Sequence, residues 1–431
     1  MRWTARFETG SGREPMGTAR DNARCNNRQF NRSTFDIRLS ELRGPRVYDT
    51  MRRHRSMKIT DIICIHTKGV YVKVETDEGI AGYGEGTNFT PKAVVGMIEE
   101  MKPYIIGEDP QRIEYLWQAC FRRLFARGGP VTGSAIAAID MALWDIKGKK
   151  LGVPVYQLLG GLARNRVRLY GHVTGHSAEE IASNAKKLAD KGITAIRYRG
   201  FHDTDAIHLH DHKRAVLQQV EYTEAIRAAV GNSVDLIVEC HGRYDADYAV
   251  MLAREIKRFR PLYIEDPIRH ENPQALRRIR SYTDIPLATG ERGHNKWDFR
   301  ELLTDGLVDY VRPDVCWCGG ISEIRKIAAM AEMYHVQVVP HNTQGPLGTA
   351  ASLHASLSMP NVAMMELPWA GKDAPPADAA SPWPVIEDGY AYPPTGPGLG
   401  IRFNEELAAS LPAPSKLLPR LNAIDGSVRD W

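Results

Sequence analysis

Residues 234–292 read VDLIVECHGRYDADYAVMLAREIKRFRPLYIEDPIRHENPQALRRIRSYTDIPLATGER, and their pattern is the clearest indication of the fold. Three short apolar runs in it end at or near Glu239, Glu265 and Glu291, with helical or loop sequence between them. Both intervals between these glutamates are 26 residues long, which is the length that a strand, a helix and two loops need. The stretch therefore predicts consecutive βα units of a parallel sheet.

The same pattern continues on both sides of this stretch. After residues 160–161, eight apolar runs end near polar or charged residues, at Thr174, Arg199, Glu239, Glu265, Glu291, Asp314, His341 and Glu366. The intervals that follow Glu291 are 23, 27 and 25 residues, so these side chains fall at the same point of each unit. Eight such strands predict an α/β fold with a TIM-type barrel over residues 166–385, whose strand ends meet at one mouth.

The segment before the barrel has a different composition. Apolar residues alternate with other residues at Val70, Val72 and Val74, and a turn follows at residues 77–79. Apolar residues at spacings of three and four then predict a helix over residues 134–149. We expect an N-terminal α+β capping domain at residues 57–165, completed by the Pro- and Gly-rich segment at about 386–431.

Residues 1–56 differ from both domains in charge. They hold 13 Arg, no Lys and six acidic residues, a formal charge of +7, so the remaining residues sum to −3. An Arg-rich segment without apolar periodicity is typical of a disordered extension, or of sequence upstream of a start at Met51 or Met57. A mitochondrial transit peptide is the alternative, and the acidic residues count against it. Because the folded body is not basic, we expect no nucleic-acid partner.

The sequence contains neither a membrane span nor a secretory signal. No apolar run reaches about 18 residues, and the N-terminus has no apolar core. We therefore expect a cytoplasmic protein that makes no membrane contact.

Deleting residues 1–56 is expected to leave folding and activity nearly intact, because their composition cannot bury a core. Thermal unfolding and turnover of the truncated protein measure this directly. A large fall in melting temperature or activity would show that the segment is structural.

Glu239, Glu265 and Glu291 follow adjacent strands and should face one point, with no basic residue among the repeated positions. Uncompensated carboxylates repel one another and raise each other's pKa. All-oxygen ligation favours a hard cation, so the pattern predicts a Mg²⁺ site. Helix capping is the alternative role for any one of these carboxylates, but six ionisable residues in register make it a poor explanation for the set.

Two histidines should face the same mouth. Asp314 and His341 end neighbouring strands, and an aspartate beside a histidine fixes the ring tautomer and raises its basicity, which describes a general base. His241 lies two residues beyond Glu239, on the same face of the strand, where it can act as a general acid.

These motifs resemble the mandelate racemase subgroup of the enolase superfamily, and within it the sugar-acid dehydratases. The resemblance runs from about residue 57 to residue 431. It is carried by VECHGR (238–243), IEDP (264–267), GER (290–292), RPD (312–314), CGGI (318–321), PH (340–341), GP (345–346) and AIDMALWDIKG (138–148). Glycines 84, 86, 128 and 129 resemble the two loops by which the family's capping domain closes over the barrel.

The resemblance implies a (β/α)7β barrel and a homo-oligomeric enzyme whose Mg²⁺ is held by Glu239, Glu265 and Glu291. The implied reaction removes the proton α to the carboxylate of a sugar acid, an aldonate such as galactonate. The metal stabilises the enediolate, and loss of the 3-hydroxyl gives a 2-keto-3-deoxy acid. The implied roles are base for His341 with Asp314, acid for His241, a position beside the substrate carboxylate for Glu366, and substrate binding for Arg199, His172 and Arg292.

Two departures from the family pattern concern this site. Glu239 stands where relatives usually carry aspartate, and Arg197-Tyr198-Arg199 stands where racemases and cycloisomerases of the superfamily carry a Lys-x-Lys base. Arginine stays protonated at working pH and cannot be a second base. Elimination is therefore favoured over the alternatives of a racemase, epimerase or cycloisomerase.

Other interpretations stay open at this point. A metal-dependent hydrolase would need a bound hydroxide and usually histidine ligands. A barrel that has lost catalysis would only bind metabolites. Two further groups could bind metal but are more simply explained as a polar loop and as core residues: His202, His208, His210 and His212, and the pair Cys316 and Cys318.

Overall fold

An antiparallel three-stranded sheet opens the part of the chain described by the computed structural model, namely residues 56–66, 69–87, 89–200, 211–372, 378–411 and 421–430. The strands are β1 (Ile59–His66), β2 (Val70–Thr76) and β3 (Gly82–Gly86), in the order β1-β2-β3. Almost all of the predicted N-terminal extension, and His202, His208 and His210, lie outside the described residues.

Helices cover this sheet. They are α1 (Pro91–Met101), α2 (Ile113–Arg122) and α3 (Gly129–Leu151), with the short α4 (Val155–Leu158) leading toward the barrel. Strand β3 lies directly against α3, where a Cβ on Gly82 would come within 2.1 Å of the Ala142 carbonyl oxygen, and one on Gly84 within 1.9 Å of that of Ala138. Gly84 and Gly86 therefore lie in a strand and not in the loop that the resemblance predicted. Their lack of a side chain permits the strand and the helix to pack closely.

Seven strand–helix pairs and a final strand follow. In chain order they are β4 (Val167–His172), α5 (Ala178–Asp190), β5 (Ala195–Tyr198), α6 (His212–Val230), β6 (Asp235–Glu239), α7 (Ala246–Ile256), β7 (Tyr263–Glu265), α8 (Leu276–Arg280), β8 (Leu287–Thr289), α9 (Arg300–Thr304), β9 (Tyr310–Val311), α10 (Ile321–Met333), β10 (Gln337–Val338), α11 (Pro346–Ser358) and β11 (Met365–Glu366). Neighbouring strands from β4 to β10 pair in parallel. The prediction of a (β/α)7β barrel is confirmed.

The ring of strands meets at β4. Strand β11 pairs with β4 in parallel. On its other side, a parallel bridge joins Val338 to Val362, and the Glu366 amide donates to the Pro340 carbonyl at 3.2 Å. Backbone contacts therefore run from β10 to the β11 segment, although the two named strands do not pair with each other.

Alternation along the strands decides which side chains enter the barrel. Leu236 and Val238 pack in the outer core between strands and helices, whereas Ile237 packs in an interior cluster with Tyr263 and Ala288. Successive side chains of a strand point to opposite faces, so Glu239 shares the interior face with Ile237. The barrel strands therefore deliver their terminal glutamates to the inside of the mouth.

The C-terminal segment contacts both parts of the fold. Its elements are β12 (Ala380–Ser381), β13 (Ile386–Glu387), β14 (Tyr390–Ala391), β15 (Arg402–Phe403), α12 (Glu405–Ser410), β16 (Leu421–Asn422) and β17 (Val428–Arg429). Strand β14 pairs with β4 antiparallel, and the Phe403 ring lies 5.0 Å from Tyr71 and 5.1 Å from Tyr83 of the N-terminal sheet. These contacts support our proposal that the segment completes the capping domain. Within the described ranges, no helix combines the length and the hydropathy that a membrane span requires.

Candidate active site

Three glutamates meet at the mouth of the barrel. Glu239 and Glu265 end β6 and β7, and Glu291 lies two residues beyond β8. One carboxylate oxygen from each lies within 4.8 Å of the others, and all three side chains are buried. The predicted convergence on one point is thus present, and three oxygen ligands at this separation fit a metal ion.

Two arginines lie among these carboxylates, contrary to the expectation of an uncompensated acidic cluster. Arg197 of β5 donates to Glu239 Oε2 and its Nε lies 3.7 Å from Glu265 Oε1. Arg312, fully buried after β9, donates to Glu265 Oε1 and, at 3.2 Å, to Glu291 Oε2. The spacing of the glutamates did not predict these arginines, because Arg197 and Arg312 lie outside the repeated positions of the βα units.

Burial and the arginines shift the pKa values of these carboxylates in opposite directions. Burial disfavours charge on Glu239, but the Arg197 guanidinium outweighs it and holds the pKa of Glu239 at about 2. Burial raises the pKa of Glu265 well above its usual range even with Arg312 beside it. Glu265 Oε2 is buried without a hydrogen-bond partner among the described residues, and a bound cation would supply one favourable contact for this oxygen. The residues present therefore fit a divalent metal.

Asp314 and His341 form the predicted pair. His341 Nδ1 lies 2.6 Å from Asp314 Oδ2, and the other Asp314 oxygen accepts from the Cys316 amide at 2.6 Å. His341 Nε2 faces the carboxylates, 3.6 Å from Glu291 Oε2 and 3.8 Å from Glu366 Oε2. Burial opposes a charged ring, but Glu366, Glu291 and Asp314 outweigh it and raise the pKa of His341 to about 9.

His241 lies on the other side of the same carboxylate group. Its Nε2 is 3.7 Å from Glu291 Oε1, while its backbone adopts a left-handed φ of 55°. The two histidines thus reach different oxygens of Glu291. Burial holds the pKa of His241 well below its usual range. An acid role therefore requires a nearby negative charge, such as that of an anionic substrate, to raise it.

Glu366 lies at the end of β11 and is fully buried. Its carboxylate accepts from Arg312 at 2.8 Å and from the Asn342 amide at 3.1 Å, and lies 2.5 Å from His172 Nε2. Burial alone would raise the pKa of Glu366, but His341 and Arg312 hold it well below its usual range. Glu366 is therefore an ionised acceptor among several donors.

The three predicted substrate-binding residues occupy different surroundings, and Arg199 is partly buried one residue beyond β5. His172 lies against Glu366, and burial together with the charges of Arg197 and Arg199 lowers its pKa to about 4. Arg292 donates to the His241 carbonyl oxygen at 2.9 Å and also lines a cavity of about 330 Å³ beside the mouth. Substrate contact by these residues stays a prediction.

The remaining predicted metal candidates are accounted for differently. Cys316 and Cys318 are buried in the hydrophobic core as free thiols. His212, at the start of α6, has its Nδ1 3.6 Å from Asp245. Among the residues that the structure describes, neither belongs to a group of three potential metal ligands.

Comparison with known proteins identifies the family of the chain. Residues 46–160 match the mandelate racemase/muconate lactonizing enzyme N-terminal domain, and residues 180–407 match the enolase C-terminal domain-like family. D-galactonate dehydratases from Pectobacterium atrosepticum and Ralstonia pickettii are each 40% identical over 385 residues, which cover 87% of this chain and 100% of the relative. A crystal structure of an enolase from Pantoea ananatis with bound D-gluconate and Mg is 31% identical, with a TM-score of 0.80, and covers 87% of this chain and 100% of that chain. The chain therefore belongs to the mandelate racemase/muconate lactonizing enzyme family of the enolase superfamily.

Proposed function

We propose that this protein is a Mg²⁺-dependent hydro-lyase that dehydrates a sugar acid, with D-galactonate as the first candidate substrate. The observation that carries the proposal is the position of His341 and His241, whose Nε2 atoms lie 3.6 and 3.7 Å from the two oxygens of Glu291, one of the three carboxylates that could hold a metal ion. A base and an acid on either side of one cation site suit α-proton removal followed by elimination. The named D-galactonate dehydratase relatives support the reaction class.

Glu239, Glu265 and Glu291 would hold the metal. When bound, Mg²⁺ supplies positive charge that acidifies the proton α to the substrate carboxylate and offsets the charge of Glu291. His341 accepts the C2 proton at Nε2, since Asp314 occupies Nδ1. Glu291 would then stabilise the charged form of His341 less strongly, so the pKa of His341 would fall. A lower pKa leaves more of the ring unprotonated, as a base requires.

The second half of the reaction falls to His241. The electron pair left at C2 expels the 3-hydroxyl, and His241 donates the proton that lets it leave as water. The resulting enol tautomerises to the 2-keto-3-deoxy acid. Arg197 cannot act as a second base, because a guanidinium paired with Glu239 stays charged. With His341 as the proposed base and no second base at position 197, the site suits elimination rather than racemisation.

A substrate screen tests the proposal. Purified protein with Mg²⁺ is incubated with a library of aldonic and aldaric acids, and formation of 2-keto acid is measured. We expect dehydration of an aldonate. Exchange of the α-proton at both faces without loss of water would instead support a racemase or epimerase, and absence of both Mg²⁺ binding and turnover would support a metabolite-binding barrel.

Arg197 offers a separate test of the metal site. We expect Arg197→Met to lower the free energy of unfolding of the metal-free protein by about 3–5 kcal/mol, because Glu239 loses its partner at a buried position. A cation that binds the folded state stabilises it by mass action, so Mg²⁺ should restore part of this loss. Thermal unfolding with and without Mg²⁺ measures both effects, with Arg197→Lys as the charge-conserving control. Identical losses in the two conditions would contradict the assignment.

A further inference from the structure

Two buried carboxylates of the N-terminal domain contact the barrel at the start of consecutive helices. Glu85 of β3 and Asp140 of α3 are each 2% exposed. Glu85 meets the first turn of α11, and Asp140 meets the first turn of α10. The first amides of a helix have no partner within it, so each carboxylate supplies acceptors that the helix itself lacks.

The contact of Glu85 is bidentate. Its Oε1 accepts from the Gly345 amide at 2.6 Å and its Oε2 from the Gly348 amide at 2.8 Å. Gly345 is the N-cap residue and has no side chain with which to cap the helix. A Cβ there would lie 2.7 Å from Glu85 Oε1, so a side chain at this position would displace the carboxylate. The glycine thus makes room for a cap supplied by another domain.

Asp140 repeats this arrangement one βα unit earlier. It accepts from the Ser322 amide at 3.0 Å and from the Ser322 hydroxyl. The N-cap residue of α10 is again a glycine, Gly320, where a Cβ would come within 2.4 Å of Asp140 Oδ2. At both helices, a carboxylate of the N-terminal domain therefore accepts hydrogen bonds from amides at the N-terminus.

The segments that precede these two helices carry the predicted base. Asp314 lies between β9 and α10, and His341 lies between β10 and α11. Gln344, directly before the Gly345 cap, places its Nε2 3.4 Å from Asp314 Oδ2. The start of each helix is fixed by a carboxylate of the N-terminal domain, so the two loops are held at both ends, by a strand and by that carboxylate.

We infer that Glu85 and Asp140 are positioning residues through which docking of the N-terminal domain sets the geometry of the Asp314–His341 pair. The inference rests on the proposed function only in assigning the base to that pair. Neither carboxylate is expected to contact substrate or metal. Their effect on the reaction passes through the two loops.

The test uses Glu85→Gln, which keeps the shape of the side chain but turns one acceptor into a donor that faces a backbone amide. We expect kcat for the aldonate to fall by about tenfold to a hundredfold with KM nearly unchanged, because a displaced base lowers the rate without altering ground-state binding. Glu85→Asp keeps the carboxyl group and its two acceptor oxygens, and should recover part of kcat. Asp140→Asn should behave like Glu85→Gln. It tests the inference independently if Glu85→Gln does not fold.

Asp145→Asn is the matched control. Asp145 lies on the same helix as Asp140 and is 1% exposed, but it accepts from the amides of Tyr83 and Leu399 at 3.0 and 2.9 Å. It thus joins the N-terminal domain to the C-terminal segment rather than to a barrel helix. We expect it to lower the melting temperature without a selective loss of kcat. If the Glu85 and Asp140 variants lose only stability, as the control does, the inference is wrong.

A spectroscopic measurement separates this inference from the proposed function. In protein with ¹⁵N-labelled histidines, the Nδ1 proton of His341 reports its hydrogen bond to Asp314 and is identified by its loss in His341→Asn. We expect Glu85→Gln to shift or remove this signal and Asp145→Asn to leave it unchanged. An unchanged signal in Glu85→Gln would overturn the inference, whether or not the wild-type protein dehydrates an aldonate.

Discussion

Replacing His341 with asparagine is expected to stop both dehydration and the exchange of the C2 hydrogen with solvent. Asparagine can still hydrogen-bond to Asp314 but cannot accept a proton. His241→Asn is expected to stop dehydration alone, because the base still works and the C2 proton can leave and return. General acid or base catalysis contributes roughly 10²- to 10⁴-fold in rate, so both losses are measurable.

The measurement is incubation of the aldonate in D₂O, with deuterium at C2 followed by NMR and 2-keto acid followed in parallel. The His241 variant should accumulate deuterium in unreacted substrate, and the His341 variant should not. Near-normal dehydration by the His241 variant, or continued C2 exchange by the His341 variant, would reverse or remove the assigned roles. His212→Asn, which replaces a histidine beside Asp245, is the control for substitution itself.

Glu265→Gln should abolish turnover, and so should exhaustive treatment with EDTA. The substitution removes the carboxylate that would bind the metal and leaves a neutral acceptor for the buried Arg312, so the barrel should still fold. Isothermal titration calorimetry should show weaker Mg²⁺ binding by the variant than by the wild type. Added Mg²⁺ should restore activity to the EDTA-treated wild type. Full activity after chelation, or in Glu265→Gln, would exclude the metal assignment.

The control for this substitution is Glu114→Gln. Glu114 lies on the surface of α2 and pairs with Lys326 at 2.8 Å, so its loss removes an exposed ion pair. Exposed pairs contribute only about 0–1 kcal/mol to stability, and we expect nearly unchanged Mg²⁺ affinity and turnover.

The barrel and its triad could be predicted because one interval sets both. A spacing of 26 residues fixes the length of a βα unit, and parallel strands bring equivalent positions to the same edge. The register was less regular than the spacing suggested. Glu239 and Glu265 end their strands, whereas Asp314 and His341 lie three residues beyond theirs, because loops after strands differ in path.

The arginines and the contacts between domains could not be predicted in the same way. Arg312 lies two residues before Asp314 in the sequence. The local sequence pattern does not indicate that the Arg312 guanidinium contacts Glu366 inside the barrel. Glu85 sits in the run GYGEG, whose glycines are typical of turns. Its partners, Gly345 and Gly348, are backbone amides about 260 residues away, and such a contact leaves no mark on residue spacing.

The position of Arg312 makes the active-site carboxylates energetically interdependent. One guanidinium donates to Glu265, Glu291 and Glu366, and also to the Tyr170 hydroxyl. Substituting any one of these partners redistributes its hydrogen bonds among the others, so the effects of paired substitutions will not add. Sequence change at this site is therefore epistatic: a residue tolerated here in one relative can be damaging in another that differs at a single further position.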